Sequence, residues 1–231
     1  MPKGGTLTDT KDTLPTDACR VVRQLKVFQG ELAFFDIEQA PEDPLLLFDQ
    51  WFRDAVKHGA IEPHAMTLST IDEEGWPSSR TLILKDFDRQ GLYFASSANS
   101  RKGAELASLP RAALNFYWRE FGRQIRVRGT VTPCDPQRSV ADFRARSAEA
   151  RAESLLGKQS QPLESWSDWE EAIELARQRQ EEDPSLVAAD WTLYLVEPIE
   201  IEFWQADRNR KHARLKYARM ASTWSKQMLW P

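Results

Sequence analysis

The sequence predicts one mostly antiparallel β domain, a closed or half-closed barrel with a few peripheral helices. Three observations predict it. Short runs of alternating apolar and polar residues recur with turn residues between them, helical periodicity is confined to a few short stretches, and the strand–helix–strand alternation of a parallel sheet is missing. With 231 residues, 41% of them hydrophobic and 10% aromatic, the chain can fill a sizeable core. Residues 18–231 read as a single domain. Residues 1–17, dominated by Thr, Asp, Gly and Lys, bury too little to offset their ordering entropy and are expected to be a disordered tail.

The elements follow in order. Asp43 before Pro44 is an N-cap with proline at the first helical position, and Leu45, Phe48, Phe52, Ala55 and Val56 then repeat at helical spacing up to Gly59. From residue 66 the period changes to two. The runs 66–71 and 79–85, joined by Asp72-Glu73-Glu74-Gly75, predict a hairpin. Strands are expected at 91–96, 112–118 and 124–131, with a short helix opening near Ser100 between the first two. Asp135-Pro136 opens another helix that holds Val140, Phe143 and Ala150. A polar connection over 159–168 leads to a charged helix marked by Trp169, Ile173 and Ala176 and running to about Gln180. Strands return at 191–196 and 200–205, and a last pair lies around Lys216 and Met228.

Charge and composition exclude several classes. A formal charge of -4 offers no general attraction for nucleic acid or an anionic membrane. No run approaches the length of a membrane span and the amino terminus lacks the apolar stretch of a signal peptide, so a cytoplasmic protein is expected. Cys19 and Cys134 stand far apart, without a CxxC spacing or a histidine pair, which argues against a zinc site or a disulfide framework.

Local basic clusters therefore need local tasks. If 208–214 is extended, Arg208, Arg210, His212 and Arg214 share one face, and three fixed cations around an imidazole suit a phosphate or carboxylate; the alternative is a solvated basic hairpin. Arg80 with Lys85, the Lys158-Gln159-Ser160 loop and Ser100-Arg101-Lys102 are further candidates. The last is the most physical, because the free N–H groups and dipole of a helix start favour an anion. Gln124 can donate and accept at once, as the edge of a flavin or pyrimidine requires, and Trp204 can stack on an aromatic ring or pack in the core. His58 and His64 flank a helix end, where capping or solvent contact is expected.

From about residue 43 to 231 the order of these segments resembles the pyridoxamine 5'-phosphate oxidase family. The resemblance rests on Arg80-Thr81-Leu82-Ile83-Leu84-Lys85, Ser100-Arg101-Lys102, Arg123-Gln124, Lys158-Gln159-Ser160, Ile201-Glu202-Phe203-Trp204-Gln205 and Arg210-Lys211-His212-Ala213-Arg214. It implies an FMN-binding split β-barrel with peripheral helices and a homodimer whose sites lie at the subunit interface. By that resemblance Arg80, Thr81, Leu82, Ile83 and Lys85 line the flavin, and Arg101 and Lys102 hold its phosphate with Ser96. Gln124 meets the ring edge, Gln159 and Ser160 reach across from the partner, and Trp204 and Arg214 also touch FMN. Arg210 and His212 would sit over the substrate as the catalytic pair.

Departures from the family pattern bear on the substrate. The family grips substrate phosphate with a lysine, a tyrosine, an arginine and a serine. Lys85 and Arg146 match, whereas Asp142 and Ala150 stand where the tyrosine and serine are expected. A Trp-Gly-Gly stretch is replaced by Trp191-Thr192-Leu193-Tyr194, and Tyr117-Trp118-Arg119-Glu120 resembles the version in phenazine-biosynthesis oxidases, which aromatise a dihydrophenazine carboxylate. The resemblance thus implies an FMN oxidase using dioxygen on a small anionic dihydroaromatic substrate. A pyridoxamine/pyridoxine 5'-phosphate oxidase and a flavin-binding protein without turnover are the alternatives.

Overall fold

The computed structural model describes residues 24–28 and 32–231. The expected tail at 1–17 and Cys19 lie outside the described residues. The ordered elements are α1 (Pro44–Lys57), β1 (Ala65–Ile71), β2 (Pro77–Ile83), β3 (Asp86–Phe87), β4 (Leu92–Ser97), α2 (Arg101–Ser108), β5 (Arg111–Trp118), β6 (Arg123–Pro133), α3 (Pro136–Arg144), α4 (Ala148–Leu155), α5 (Trp166–Glu182), β7 (Trp191–Gln205), β8 (Ala213–Met220) and β9 (Thr223–Met228). The strands form one antiparallel sheet in the order β2-β1-β5-β6-β7-β4-β3, with β8 on β7 and β9 on β8.

The sheet forks at β7. One edge of this strand pairs with β6 along its length, while the other edge is divided between β4, which takes Trp191 to Val196, and β8, which takes Glu200 to Gln205. Two strands, 191–196 and 200–205, are expected here from sequence, and Pro198 between them cannot donate a ladder hydrogen bond. The structure keeps one continuous strand, because a register shift between Arg128 and Gly129 brings Gly129 opposite Pro198. Gly129 must lack a side chain, since a Cβ there would stand 2.3 Å from the Glu197 carbonyl oxygen.

The core lies between the curled sheet and α1. Asp43 accepts from the Leu45 N–H at 2.9 Å and caps the helix, whose Leu45, Leu47, Phe48, Trp51 and Ala55 are buried. Phe48 meets Phe116 edge-on at 5.2 Å and Trp51 meets Phe203 at the same distance. Each such buried ring contributes roughly 1.5–3 kcal/mol. Arg123 locks the helix to the barrel: it is buried, lies 4.5 Å over the Trp51 ring, donates to Gln205 at 3.0 Å and pairs with Asp54.

The helix expected from Asp135 through Ala150 is two helices. Asp135 caps α3, and Ser147 starts α4 afresh by accepting from the Ala150 N–H at 3.2 Å. Ala152 of α4 packs with Ile173 and Ala176 of α5 in a second, small core.

Candidate functional site

The start of α2 is built to hold cations close together. Ser100 caps it, accepting from the Gly103 N–H at 3.3 Å and donating to the Ser97 carbonyl at 2.7 Å. A Cβ on Gly103 would meet the Ala98 carbonyl oxygen at 2.1 Å, so only glycine lets the helix approach the preceding loop this closely. Lys102 is buried and donates from Nζ to Ser100 Oγ at 3.1 Å and to Gln159 Oε1 at 2.8 Å. Burial, and then the Arg80 charge, lower its pKa to about 8 against the opposing pull of Glu105. Arg80 reaches in from β2 and Arg101 from the helix itself, both hydrogen-bonded to the buried Glu105.

Gln159 and Ser160 complete this end. Gln159 Oε1 accepts from Ser96 Oγ at 3.4 Å as well as from Lys102, and Ser160 Oγ accepts the Arg101 N–H at 3.4 Å. Both residues thus contact the α2 start of their own chain, whereas the resemblance implies that they reach a partner's site. The turn at Lys158–Gln161, with Ser160 at φ +74°, folds the loop back over α2.

Beside the cluster opens a cavity of about 1190 Å³ whose wall includes Thr81, Leu82, Ile83, Lys85, Ser96, Arg146, Ala150, Gln159 and Trp191. Lys85 is placed by its N–H, which donates to the Tyr93 carbonyl at 2.8 Å. Its Nζ lies 3.3 Å from Asp142 Oδ1, and the Trp191 indole N–H donates to Asp142 Oδ2 at 2.8 Å. Arg146 stacks 3.9 Å over the Trp191 ring and donates to Ser154. Burial lowers the Arg146 pKa, with Asp142 and Glu153 pulling the other way.

The remaining expected residues gather elsewhere. Gln124 of β6, Trp204 of β7 and Arg214 of β8 stand directly opposite one another in a row across the sheet. Arg214 is engaged by the buried Glu202 at 2.7 Å, and Glu202 also accepts from Arg126 at 3.1 Å. The shared face expected for Arg208 to Arg214 is not formed. Asp207 instead organises a turn, accepting from the Asn209 and Lys211 N–H groups, and Arg210 takes φ +66°. His212 Nδ1 accepts the Asp207 N–H at 3.0 Å, so the neutral ring carries its proton on Nε2. Trp204 and Phe28 pack on the His212 ring at 4.9 and 6.5 Å, and Val27, Phe28, Arg210 and His212 line a small cavity of about 250 Å³. This cavity shares no wall residue with the larger one.

Three residues with roles here escaped the sequence reading. Glu105 could have been found from its i+4 spacing to Arg101. Trp191 was noticed only as bulk in place of glycine, although its indole orients Asp142. His64, expected to cap or face water, lines the larger cavity, a placement for which its neighbours in sequence carry no signal. His58 does take the C-cap position of α1.

A buried ammonium and two guanidinium groups around one helix start fit a phosphate, and the adjoining cavity has room for a tricyclic ring together with a small second molecule. Fold and donor set therefore define an FMN-dependent oxidoreductase of the split-barrel type. The comparisons agree. The pyridoxamine 5'-phosphate oxidase family model matches residues 52–179, and the model for the pyridoxine 5'-phosphate oxidase C-terminal dimerisation region matches residues 191–231. The pyridoxine/pyridoxamine 5'-phosphate oxidase of Rubrobacter xylanophilus is 39% identical over 83% of this chain and 88% of its own length. That of Bradyrhizobium sp. strain ORS 278 is 36% identical over 94% and 100%. Among solved structures, PhzG from Burkholderia lata 383, in complex with tetrahydrophenazine-1-carboxylic acid, superposes with a TM-score of 0.79 at 29% identity, covering 87% of this chain and 99% of PhzG. An FMN-binding protein from Nostoc punctiforme shares the fold, with a TM-score of 0.64 at 20% identity over 83% of this chain and 98% of its own. The chain belongs to the pyridoxamine 5'-phosphate oxidase family.

Proposed function

We propose that this chain is a homodimeric FMN oxidase that removes two electrons from a small dihydroaromatic carboxylate of the phenazine type, with dioxygen as the final acceptor. The observation that carries this reading is the 3.3 Å pair between Lys85 and Asp142. A phosphate dianion entering the larger cavity meets a lysine whose charge is already compensated, and finds the Ala150 methyl where a hydroxyl donor is expected. Each lost or mispaired group costs about 1–3 kcal/mol. A singly charged carboxylate can rest on Arg146 without displacing Asp142 from Trp191. PhzG, crystallised with a tricyclic carboxylic acid, supports the same substrate class.

FMN, when bound, supplies the two-electron acceptor. The chain's own contribution is placement. Arg80, Arg101, Lys102, Ser96, Gln159 and Ser160 take the cofactor phosphate, and Thr81, Leu82, Ile83 and Lys85 flank the ring. Gln124, Trp204, Arg214, Arg210 and His212 serve the site of the partner chain, a reading supported by their separate cavity and by the match to a dimerisation region. There His212 presents Nε2–H, the atom through which it can hold or pass a proton, and Arg210 orients the carboxylate.

A pyridoxine/pyridoxamine 5'-phosphate oxidase is the second reading, favoured by the curated relatives and by the presence of Lys85, Arg146, Arg210 and His212. A flavin binder without turnover has no use for Arg210 and His212. The deciding experiment adds pyridoxine 5'-phosphate, or a dihydrophenazine carboxylate, to the purified holo-protein without oxygen and follows the flavin absorbance between 300 and 500 nm. Bleaching by the carboxylate alone supports the proposal, whereas bleaching by the phosphate alone moves the chain to the second reading. A joint Asp142→Tyr and Ala150→Ser exchange is expected to raise activity on the phosphate.

A further inference from the structure

We propose that Glu105 is a positioning residue for the cofactor phosphate, holding Arg80 and Arg101 at the mouth of the cavity from behind. The inference rests on the placing of that phosphate at the start of α2. Glu105 sits one turn into the helix with its side chain 4% exposed. Its carboxylate accepts from Thr70 Oγ1 on β1, from Arg101 Nε at 2.9 Å on its own helix and from Arg80 at 3.2 Å on β2. One group thereby ties the two elements that carry the cations, β2 and α2, to each other and to β1. Burial pushes its pKa up, but the hydrogen bonds from Thr70, Arg101 and Arg80 outweigh this and hold the carboxyl below its usual range, so it stays charged.

A carboxylate beside an anion site has two opposed effects. Its charge repels the phosphate, while its hydrogen bonds fix the guanidinium groups that bind it. Anchoring prevails here on geometric grounds. The Arg101 side chain is 63% exposed and its other carboxylate partner, Asp72, lies 3.5 Å away, so without Glu105 it sweeps through solvent. Arg80 keeps Ser78 at 3.0 Å and Thr70, but loses its ionic partner. Glutamine cannot replace the carboxylate, because half of its amide is a donor that faces other donors.

Titration of FMN against the apo-protein, followed by flavin fluorescence across a pH series, tests the proposal. Glu105→Gln is expected to weaken FMN binding at least tenfold. It is also expected to move the alkaline loss of affinity to lower pH, because Lys102 loses the one carboxylate that raises its pKa while Arg80 still lowers it. Ser100 and Gln159, the other groups on the Lys102 ammonium, are neutral. Binding as tight as wild type or tighter, or weakening with an unmoved alkaline loss, overturns the proposal. Glu105→Asp, which keeps the charge but shortens the reach, should weaken binding with the alkaline loss unmoved. That variant decides the matter alone if Glu105→Gln does not fold, an unweakened affinity again overturning the proposal. Wild-type protein that binds no FMN overturns the reading of the site itself; wild-type binding with indifferent Glu105 variants overturns only the positioning role.

Discussion

Trp191 donates its indole N–H to Asp142 Oδ2 at 2.8 Å, which holds Asp142 beside Lys85 with its side chain 12% exposed. The same ring carries Arg146 on its face at 3.9 Å. Trp191→Phe removes the donor and part of the π face, and is expected to lower the unfolding free energy by about 1–3 kcal/mol. Urea denaturation of the two proteins measures it, and an unchanged midpoint counts against a role for this contact.

FMN affinity should depend on pH through Lys102. Its pKa is lowered to about 8 in the free protein, and a bound phosphate dianion raises it again by favouring the charged form. Affinity contributed by the ammonium is therefore complete below pH 8 and is lost as pH rises above it. Lys102→Met should bind FMN more weakly at pH 7 and show no such loss, as read by fluorescence titration at pH 7 and pH 9.

At Gly103 the helix start touches the loop before it. An alanine Cβ 2.1 Å from the Ala98 carbonyl oxygen forces α2 away from Ser97 and Ser100. Gly103→Ala should cost about 1–3 kcal/mol and reduce the gain in melting temperature on adding FMN. A variant that keeps the full FMN-induced gain contradicts this.

Tyr217 is fully buried and donates to the Pro41 carbonyl at 2.7 Å. Burial, then the Glu42 and Asp43 charges, raise its pKa to about 12. A folded pKa above the unfolded value of about 10 means that its contribution is complete below pH 10 and is lost as pH rises towards 12. Tyr217→Phe should be less stable by about 0.5–1.5 kcal/mol at pH 8, and the gap to wild type should shrink at pH 11. A constant gap would show that ionisation of this tyrosine does not matter.

Local chemistry made much of the fold readable. The Asp43-Pro44 cap and the Leu45, Phe48, Ala55 spacing mark α1 because capping and amphipathicity act within a few residues. The hairpin and the barrel strands follow from alternation in the same way. What escaped depends on long-range pairing. The continuity of β7 past Pro198 rests on a bulge that leaves Ile199 without a partner and on Gly129 of β6, some seventy residues earlier in the chain. The turn at 206–212 overrode the alternation argument because the Asp207 carboxylate accepts from the Asn209 and Lys211 N–H groups, a choice the basic residues around it conceal. The motifs around the α2 start were named from the family resemblance, whereas the bonds from Thr70 and Arg80 to Glu105 and from Trp191 to Asp142 emerge only when strands and helices meet.

The forked strand β7 has one more consequence. It carries Trp191 at its start, on the larger cavity, and Trp204 near its end, against His212. Thirteen residue steps along a strand at about 3.3 Å each amount to roughly 40 Å, far beyond the span of one small ring substrate. In the proposed dimer, where His212 of one chain completes the Lys85 cavity of the other, a mixed dimer of two disabled chains, one with Lys85→Met and the other with His212→Ala, would hold one doubly broken site and one intact site. Mixing and refolding two inactive preparations should restore about half an active centre per dimer, roughly a quarter of the wild-type activity, the arithmetic of complementation between subunits.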